Sequence, residues 1–494
     1  MRASELLFAI GVDIPEGIDD VEVTAIVTDS NKVIKNCIFI CLCGSTYDGH
    51  DYIPDAIKAG AAVIVAEKVR DVCVGGAAIF YVENTRRAAS LLYNAWYGYP
   101  ARDIKAVGVS GTNGKTSTAN LAYRIFESAG YSCGFIGTVG IISAGGKELY
   151  RGSDMTTPDP QTLYSTLAQM RDDGVEYLFM EVSSHALAQH RTDAIEFEVG
   201  VFTNLTEDHL DFHKNMEQYF LAKRRLFEQS KQSIVNIDDA YGARLADFLR
   251  SRGALFKTCS TRQGDFCAVL PDRKSARGIE YDLKSENATY RVSLPLSGDF
   301  QIMNSLEAAS VALLCGIDTE TVIDSLRSMP EISGRMEELM LHSKQDFRIF
   351  IDYAHTPDAI ERLLMSARAL REREGRIIIL FGCGGERERE KRRAMGQIAS
   401  RLADMVIVTS DNSRSEDAED IIKDILKGID KEKEYAVISD RREAIERAVL
   451  LYARAGDVLL LAGKGHEKYQ IDKFGRHEFD ERKIVDSALE RRYR

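Results

Sequence analysis

The sequence lacks the features that would place the protein in a membrane, outside the cell or on a nucleic acid. None of its apolar runs approaches the roughly 20 residues of a membrane span. The first residues, MRASELLFAIGVDIPEG, include the acid Glu5 and too short an apolar stretch for a signal peptide. A formal net charge of −12 argues against a general nucleic-acid or membrane-surface binder. We therefore expect a cytoplasmic protein.

Disulfide bonds, internal repeats and low-complexity tracts are not indicated either. The nine cysteines are odd in number and scattered, which is typical of reduced, buried thiols. Cys37, Cys41 and Cys43 lie close together, but no second pair or histidine cluster follows them at the spacing of a metal site. The remaining composition, with 45% apolar and 28% charged residues, is that of a globular protein.

The chain is long enough for about three domains, and its pattern predicts three α/β units. Clusters of Gly and Pro mark two boundaries, which gives predicted domains at residues 1–98, 99–333 and 334–494. Continuous apolar runs separated by helical patterns predict parallel sheets covered on both faces, and the third unit is expected to be Rossmann-like. Residues 265–300 are polar and turn-rich, and they predict a small antiparallel part.

A phosphate-binding loop follows the first strand of the second unit. The strand IKAVGV leads into SGTNGKTS, and a helical pattern begins directly afterwards. Gly111 and Gly114 let backbone N–H groups surround an anion at the helix N-terminus, while Lys115 neutralises charge and Thr116 can hold Mg²⁺. Val109 stands where the generic pattern has its first glycine. By itself the loop therefore predicts phosphate binding and no particular enzyme.

Acidic and histidine side chains follow the two apolar strands that come next. A phosphate-loop enzyme needs a carboxylate for its metal near the end of a neighbouring strand, and Glu181 ends the strand YLFME. After the following strand, His209 is a candidate for a second ligand. Asp208, Asp211 and His213 compete with it on sequence alone.

Lys223 has an unusual position in the predicted helix MEQYFLAKRRLFEQ. Met216, Phe220, Lys223 and Phe227 are spaced by four, three and four residues, so they share one helix face. Because burying a bare ammonium is costly, a lysine on an apolar face must reach solvent, find a partner or be chemically changed.

These features recur with others in a fixed order along nearly the whole chain. The sequence carries, in turn, GTNGKT, MTTPDP, EVSSHAL, TNLTEDHLDFH, SGRME, DYAHTPDA, FGCGGER, SDNSR and AGKGHE. Motifs in this number and order resemble those of the Mur ligase family. The resemblance implies three α/β domains: an N-terminal domain for a uridine nucleotide, a central P-loop ATPase domain with a parallel sheet, and a C-terminal Rossmann-like domain for an amino acid.

The resemblance also implies an ATP-dependent ligase that forms an amide bond and releases ADP and phosphate. ATP would phosphorylate a carboxylate of a nucleotide-linked peptide, and an amine would attack the acyl phosphate. Within the family, the motifs are most similar to members that add meso-2,6-diaminopimelate to UDP-N-acetylmuramoyl-L-alanyl-D-glutamate in cytoplasmic peptidoglycan synthesis. The expected partners are these small molecules, ATP and two Mg²⁺ ions, with no nucleic acid and no membrane, and the protein is expected to be a monomer.

Matching motifs assign the ATP and metal residues. The catalytic residues implied by the resemblance are Lys115, Glu181, His209 and Lys223, and the implied metal ligands are Thr116, Glu181, His209 and Lys223. Lys223 would act as a carbamate formed with CO₂ (N6-carboxylysine). The implied ATP contacts are Gly111, Thr112, Asn113, Gly114, Lys115, Thr116, Ser117, Asn304, Arg335, Asp352 and His355.

Further motifs assign the other two substrates. The implied contacts to the nucleotide substrate are Thr28, Ser30, Ser45, Thr46, Tyr47, Thr156, Thr157, Ser183, Gln189 and Arg191, with Met155 in place of the family's usual Asn. The implied diaminopimelate contacts are Arg387, Asp411, Asn412, Ser413, Arg414, Gly463 and Glu467. Ser413 replaces the usual Pro. Lysine-adding relatives generally lack an arginine at the position of Arg414.

Four alternative functions remain open. The L-lysine-adding ligase of the same family differs by its preference for the shorter amino acid. Folylpolyglutamate synthase shares the P-loop and the three-domain plan, but has no reason to carry a uridine-binding domain or the DNSR loop. A regulatory nucleotide switch would release phosphate without needing both cosubstrates, and an interaction protein would give these residues no common purpose.

Overall fold

The structure, a computed structural model, describes residues 1–44, 47–69, 75–150, 155–270, 278–286, 288–371 and 374–494. Within these residues the strands form three large sheets and one separate hairpin. Each large sheet comes from a different part of the chain, which confirms the α/β class. The predicted boundaries near residues 98 and 333 fall between the sheets and stay predictions.

The first sheet has four parallel strands in the order β1-β2-β3-β4. The strands are β1 (Ile26–Val27), β2 (Ile38–Ile40), β3 (Val63–Ala66) and β4 (Ala78–Tyr81). They are accompanied by helices α1 (Ala3–Phe8), α2 (Ile53–Ala59) and α3 (Thr85–Trp96), and by short 3₁₀ turns at Ser30–Lys32, Gly49–Tyr52 and Pro100–Arg102. All residues of β2 and β3 are buried, as their continuous apolar patterns predict.

The second sheet has eleven strands in the order β15-β14-β13-β12-β11-β10-β5-β9-β6-β7-β8. The strands are β5 (Lys105–Ser110), β6 (Cys133–Gly137), β7 (Gly140–Ile142), β8 (Glu148–Tyr150), β9 (Tyr177–Glu181), β10 (Phe197–Phe202), β11 (Ser230–Asn236), β12 (Leu255–Ser260), β13 (Phe266–Val269), β14 (Ile279–Lys284) and β15 (Thr289–Leu294). The turn-rich part is antiparallel only at β14 and β15, because β13 pairs parallel to β12. It therefore continues the central sheet instead of forming a separate unit.

Eight helices belong to this part of the described chain. They are α4 (Lys115–Ser128), α5 (Pro160–Asp172), α6 (Ser184–Ala188), α7 (Leu210–His213), α8 (Met216–Glu228), α9 (Ala240–Ser251), α10 (Phe300–Leu314) and α11 (Thr319–Arg327), with a 3₁₀ turn at Ala144–Gly146. Strand β5 pairs parallel with both β9 and β10. The phosphate loop, Glu181 and the segment after β10 therefore leave the sheet at one edge.

The third sheet has the order β16-β17-β21-β18-β19-β20, with β16 antiparallel and the others parallel, which confirms the Rossmann-like prediction. Its strands are β16 (Glu337–Glu338), β17 (Arg348–Asp352), β18 (Ile377–Phe381), β19 (Met405–Val408), β20 (Glu434–Val437) and β21 (Val458–Ala462). Its helices are α12 (Pro357–Leu370), α13 (Glu390–Leu402), α14 (Ala418–Leu426), α15 (Arg441–Arg447), which continues into a π-helical turn at Ala448–Tyr452, and α16 (Glu481–Tyr493). The hairpin of β22 (Tyr469–Asp472) and β23 (Gly475–Glu478) was not predicted.

The hydrophobic cores show how the units are joined. One core extends from the first sheet to a face of the second, and it includes both Leu92 of α3 and Phe197 of β10. The opposite face of the second sheet has its own core under α4 and α10. Two further cores lie on the two faces of the third sheet. The third unit is thus a separately packed body beside the first two.

The sequence indicates neither membrane spans nor disulfide bonds, and the described residues bear on both points. None of their helices combines the length and apolar character needed to cross a bilayer. The eight described cysteines are free thiols, six of them buried. Cys73 lies outside the described residues.

Candidate active site

A cavity of about 540 Å³ lies between the second and third units. On one side it is bounded by the phosphate loop, Glu181 and the segment after β10. On the other it is bounded by residues that follow β17, β18, β19 and β21. In parallel α/β sheets, ligands bind at the carboxyl ends of the strands, and here two such edges face each other.

Close contacts to neighbouring side chains fix the backbone of the phosphate loop. Gly114 has a left-handed φ of 87°, and a Cβ there would lie 2.6 Å from the Oδ1 of Asn304. Helix α4 begins at the next residue, Lys115, so its first N–H groups point toward the cavity. The Lys115 Nζ donates at 2.9 Å to the carbonyl oxygens of both Gly111 and Thr112. The loop can therefore receive phosphate groups, as its sequence predicts.

Glu181 is buried at the end of β9 and is held by hydroxyl and backbone donors. Its Oε1 accepts from the backbone N–H of Thr138 at 2.9 Å and from the Thr138 hydroxyl at 3.0 Å. Its Oε2 accepts from the Thr116 hydroxyl at 3.0 Å. A guanidinium nitrogen of Arg335, from the third unit, donates to the same hydroxyl at 2.7 Å. The carboxylate and hydroxyl expected to hold Mg²⁺ are thus adjacent, and both offer the oxygen atoms that this ion prefers.

Of the four candidates for a second metal ligand, Asp208 and His209 line the cavity. Their side chains approach to 3.3 Å. Burial lowers the pKa of His209 to about 3, although the Asp208 carboxylate opposes this shift. His213 instead contacts the Ser184 hydroxyl through its Nε2 at 2.9 Å. Asp211 is exposed and also lies outside the cavity lining.

Lys223 is buried on the apolar face of α8 and does not reach solvent. Its Nζ donates to the carbonyl oxygen of Gly111 at 2.7 Å and lies 4.7 Å from the centre of the Tyr219 ring. Burial, together with the charge of Lys115, lowers the pKa of Lys223 well below its usual range, and Asp208 offsets only part of this. The lysine lies behind the phosphate loop and outside the cavity lining.

The other predicted ATP contacts that line the cavity come from both units. Thr112, Asn113, Ser117 and Asn304 lie on the second unit, and Arg335, Asp352 and His355 on the third. Burial raises the pKa of Asp352 against the influence of Arg335, and burial lowers that of His355 to about 4. The Asn113 side chain donates to Asp358 of α12 at 2.7 Å, which joins the phosphate loop directly to the third unit.

The predicted contacts to the peptide part of the nucleotide substrate form one network beside Glu181. The Thr157 hydroxyl donates to the Glu181 carbonyl at 2.8 Å and accepts from the Ser183 N–H at 3.0 Å. Arg191 donates to the Thr157 carbonyl at 2.6 Å and to the Gln189 side chain at 2.7 Å. Thr156 lines the cavity next to this network.

The predicted uridine contacts lie away from the cavity. Thr28 and Ser30 follow β1, and Tyr47, which is exposed, comes after β2. Because β1 and β2 are parallel, these residues leave the first sheet at one edge. Ser45 and Thr46 lie outside the described residues.

Six of the seven predicted amino-acid contacts line the cavity opposite the phosphate loop: Arg387, Asp411, Asn412, Arg414, Gly463 and Glu467. Arg414 has a left-handed φ of 54°, and its guanidinium donates to the Gly385 carbonyl at 2.8 Å. Ser413 is buried behind them. A Cβ on Gly385 would lie 1.9 Å from the Ser413 carbonyl oxygen, so the two loops touch through their backbones.

Two groups at this site were not predicted from the sequence. Lys391, in the first turn of α13, lines the cavity, where its charge acts on Asp208 and His355. It belongs to the run EREREKRR, in which the matching motifs assign Arg387 and leave Lys391 without a role. Thr138, which holds Glu181, follows β6 and stands in no recognised motif. Only the sheet order, which places β6 beside β9, brings it there.

Cys43, Asp48 and His50 of the first unit also offer potential metal-ligand atoms within 4.8 Å of one another. The His50 Nε2 accepts from the backbone N–H groups of Glu67 at 3.0 Å and Lys68 at 3.2 Å. The Nδ1 therefore carries the ring proton of the neutral histidine and donates to Asp48 at 2.6 Å. Both ring nitrogens are used, so this cluster is a structural hydrogen-bond network.

Comparison with known proteins covers nearly the whole chain. Residues 22–92 match the catalytic domain of the Mur ligase family, residues 109–312 the Mur ligase middle domain, and residues 334–465 the Mur ligase glutamate ligase domain. The chain is 39% identical to UDP-N-acetylmuramoyl-L-alanyl-D-glutamate–2,6-diaminopimelate ligase 1 of Clostridium acetobutylicum, over 99% of each chain. It is 40% identical to the corresponding ligase of Syntrophomonas wolfei, again over 99% of each. A solved structure of a ligase with that name is similar over 100% of both chains, with 30% identity and a TM-score of 0.70.

Proposed function

The chain belongs to the Mur ligase family of ATP-dependent ligases, and from this premise we propose that it adds meso-2,6-diaminopimelate to UDP-N-acetylmuramoyl-L-alanyl-D-glutamate. The reaction would take place in the cytoplasm, as a step of peptidoglycan synthesis, with the protein acting as a monomer. The observation that carries the proposal is the placement of Arg387, Arg414 and Glu467 in one cavity with the phosphate loop and Glu181.

The charges of the cavity fit the distal end of diaminopimelate. The distal carbon of this amino acid carries both an ammonium and a carboxylate, whereas the distal end of L-lysine carries an ammonium alone. Arg387 and Arg414 suit carboxylates, and Glu467 suits the distal ammonium. A hydrogen bond to a charged group contributes roughly 1.5–3 kcal/mol, or about 10- to 150-fold in binding. A cavity that leaves Arg414 unpaired with L-lysine adds a further penalty.

The chemistry proceeds by activation of a carboxylate. A carboxylate oxygen of the D-glutamyl residue attacks the γ-phosphorus of ATP, the bond to the β-phosphate oxygen breaks, and ADP leaves. The amine of the amino acid then attacks the acyl carbon, loses a proton, and expels phosphate. Lys115 and the first N–H groups of α4 hold the phosphates, while Arg335 and Lys391 bring positive charge to the same place.

Mg²⁺ suits the oxygen atoms of Thr116 and Glu181, and His209 is placed for a second ion. Bound there, it would neutralise phosphate charge. We propose that Lys223 becomes a carbamate: its neutral amine adds to the carbon of CO₂, an N–C bond forms, and one proton is lost. The lowered pKa of Lys223 favours the neutral amine that this step needs. The charge of Lys223 acts on His209, so the new anion would influence this candidate metal ligand directly.

The remaining assignments follow the three units. Residues 1–98 would bind the uridine nucleotide through Thr28, Ser30 and the segment 45–47, residues 99–333 would bind ATP, and residues 334–494 the amino acid. The peptide between them would lie along Thr156, Thr157, Ser183, Gln189 and Arg191.

Product analysis tests this function. The purified protein is incubated with ATP, Mg²⁺, the UDP-muramoyl dipeptide and meso-diaminopimelate, and product mass and phosphate release are measured. We expect the tripeptide product and one phosphate per amide bond. Phosphate release that does not depend on the dipeptide and the amino acid would identify a nucleotide switch and contradict the proposal.

A further inference from the structure

Lys464 lies in the AGKGHE motif between Gly463 and Glu467, yet it has no part in the reaction described above. Gly463 and Glu467 line the cavity, whereas Lys464 is fully buried beneath it. A buried ammonium is costly unless charged and polar partners surround it. The position of Lys464 therefore depends on its neighbours, and theirs depends on Lys464.

The Lys464 ammonium connects the two loops that carry the amino-acid contacts. Its Nζ donates to the Asn412 Oδ1 at 2.9 Å, in the loop after β19. It also donates to the Glu467 Oε2 at 3.3 Å, in the loop after β21, and lies 3.7 Å from the Asp411 Oδ1. The rings of Tyr469 and Phe479 complete its surroundings. The Lys464 ammonium thus links both loops through the side chains of Asn412 and Glu467.

This cation determines how the Asn412 amide is turned. The Asn412 Oδ1 accepts from Lys464 and also from the backbone N–H of Ile471 at 3.0 Å. With both donors on the oxygen, the Nδ2 is directed to the Glu467 Oε2, to which it donates at 2.9 Å. The Glu467 Oε2 therefore receives two donors, and Oε1 is the oxygen left for a group in the cavity.

The same contacts extend to Arg414 through the β22–β23 hairpin. The Arg414 N–H donates to the carbonyl of Ile471 at 3.1 Å, and the Gln470 side chain donates to the carbonyl of Asp411 at 3.2 Å. The hairpin thus fixes the backbone at Arg414 while Lys464 fixes the side chains of Asn412 and Glu467.

We propose that Lys464 is a positioning residue for amino-acid selectivity, because it fixes Glu467 relative to Arg414. The proposal rests on the proposed function, in which these two side chains bind the distal ammonium and carboxylate of diaminopimelate. Without Lys464, the carboxylates of Asp411 and Glu467 would lose the cation that lies close to both of them. Arg441, a buried cation whose charge also acts on Asp411, would remain, but it forms an ion pair with Glu481.

Substitution of Lys464 tests the proposal by steady-state kinetics with each substrate varied in turn. Lys464→Met removes the charge and keeps most of the volume, and Lys464→Gln keeps a donor. The matched control is Arg376→Met. Arg376 lies just before β18, at the edge of the same sheet that is opposite to the cavity. It forms a 2.9 Å ion pair with Asp457. Thermal midpoints are measured for all variants.

For Lys464→Met we expect the KM for meso-diaminopimelate to rise about 10-fold or more, the scale of one charged hydrogen bond. The KM values for ATP and the nucleotide substrate should not change, and the preference over L-lysine should fall. Lys464→Gln should show a smaller effect of the same kind, and it decides the question if Lys464→Met does not fold. Arg376→Met should lower the thermal midpoint without changing the preference.

Two results would overturn the assignment of Lys464. One is an unchanged KM for meso-diaminopimelate, and the other is a rise in all three KM values together. The wild type is assayed first. If it prefers L-lysine, the proposed function fails and the role of Lys464 fails with it. If the wild type prefers meso-diaminopimelate and Lys464→Met keeps the same preference to the same degree, the proposed function stands and only the role of Lys464 fails.

Discussion

At the scale of single residues, the site depends on ionisable side chains that are held away from water. Lys115 and Lys223 both donate to the carbonyl oxygen of Gly111, and burial lowers the pKa of each. Glu307, on α10, is buried in the same cavity wall, and burial raises its pKa to about 8. The spacing of the apolar residues in α8 placed Lys223 on an apolar helix face, but it left open whether the side chain reaches solvent, finds a partner or is chemically changed. It could not predict the carbonyl partner, which lies 112 residues away in sequence.

Lys223→Ala tests whether the buried lysine acts as a carboxylate. We expect turnover to fall by about 100-fold or more, the scale for removing one preorganised charge from a reaction centre. A short carboxylic acid such as acetate should restore part of it, because it can occupy the space left by the carbamate. The readout is phosphate release with increasing acetate. Lys115→Ala is the control, since an added anion cannot replace its cation. Full activity of Lys223→Ala without acetate would contradict the carbamate.

Glu307→Gln tests the protonation of this buried carboxyl. Its Oε2 accepts from the Thr118 hydroxyl at 2.9 Å, and its Oε1 has no hydrogen-bond partner within the described ranges. The pKa of Glu307 is raised from 4.5 to about 8, so the folded protein keeps a proton that the unfolded chain loses. The contribution of Glu307 to the free energy of unfolding should therefore fall as the pH rises from about 4.5 to about 8, and then level off.

The variant has no group to titrate at this position, so its advantage over the wild type should grow across the same pH range. Urea denaturation of both proteins at several pH values measures the difference. An identical pH dependence for the two proteins would show that Glu307 is ionised in the folded state.

At the scale of elements, the strands were predictable where they are buried on both sides, and less so elsewhere. The continuous apolar runs at 177–182, 376–382 and 457–463 predict β9, β18 and β21 within one residue at each end. A parallel strand covered on both faces has an apolar side chain at nearly every position. The hairpin of β22 and β23 is partly or fully exposed, so its sequence has no such pattern. Its role depends on contacts to the loop after β19, about 60 residues earlier, which no local pattern contains.

Gly385→Ala tests the contact between the two loops that carry Arg387 and Arg414. The new Cβ would lie 1.9 Å from the Ser413 carbonyl oxygen, which is backbone and cannot rotate away, so the loops must separate. We expect a higher KM for the amino acid with an unchanged KM for ATP. At Gly384, the nearest atom to a new Cβ is the end of the Arg414 side chain, at 3.0 Å, which can shift. Gly384→Ala should therefore have the smaller effect, and equal effects would contradict the loop contact.

At the scale of the whole molecule, the first two units share a core, whereas the third contacts them through side chains around the cavity. Asn113 bonds to Asp358 and Thr116 to Arg335 across the boundary. If the third unit closes on ATP in the proposed reaction, it would keep water from the acyl phosphate. The P-loop motif alone predicted phosphate binding. The proposed reaction also needs Glu181, Lys223 and Arg414, which come from distant parts of the chain.

A competition between two amino acids tests the central claim most directly. The purified protein receives ATP, Mg²⁺, the UDP-muramoyl dipeptide and equal concentrations of meso-diaminopimelate and L-lysine, and the two products are separated by mass. We expect the diaminopimelate product to exceed the lysine product by roughly 10- to 150-fold, the contribution of one charged hydrogen bond. Arg414→Leu should remove most of this preference. A wild-type protein that forms mainly the lysine product would contradict the claim.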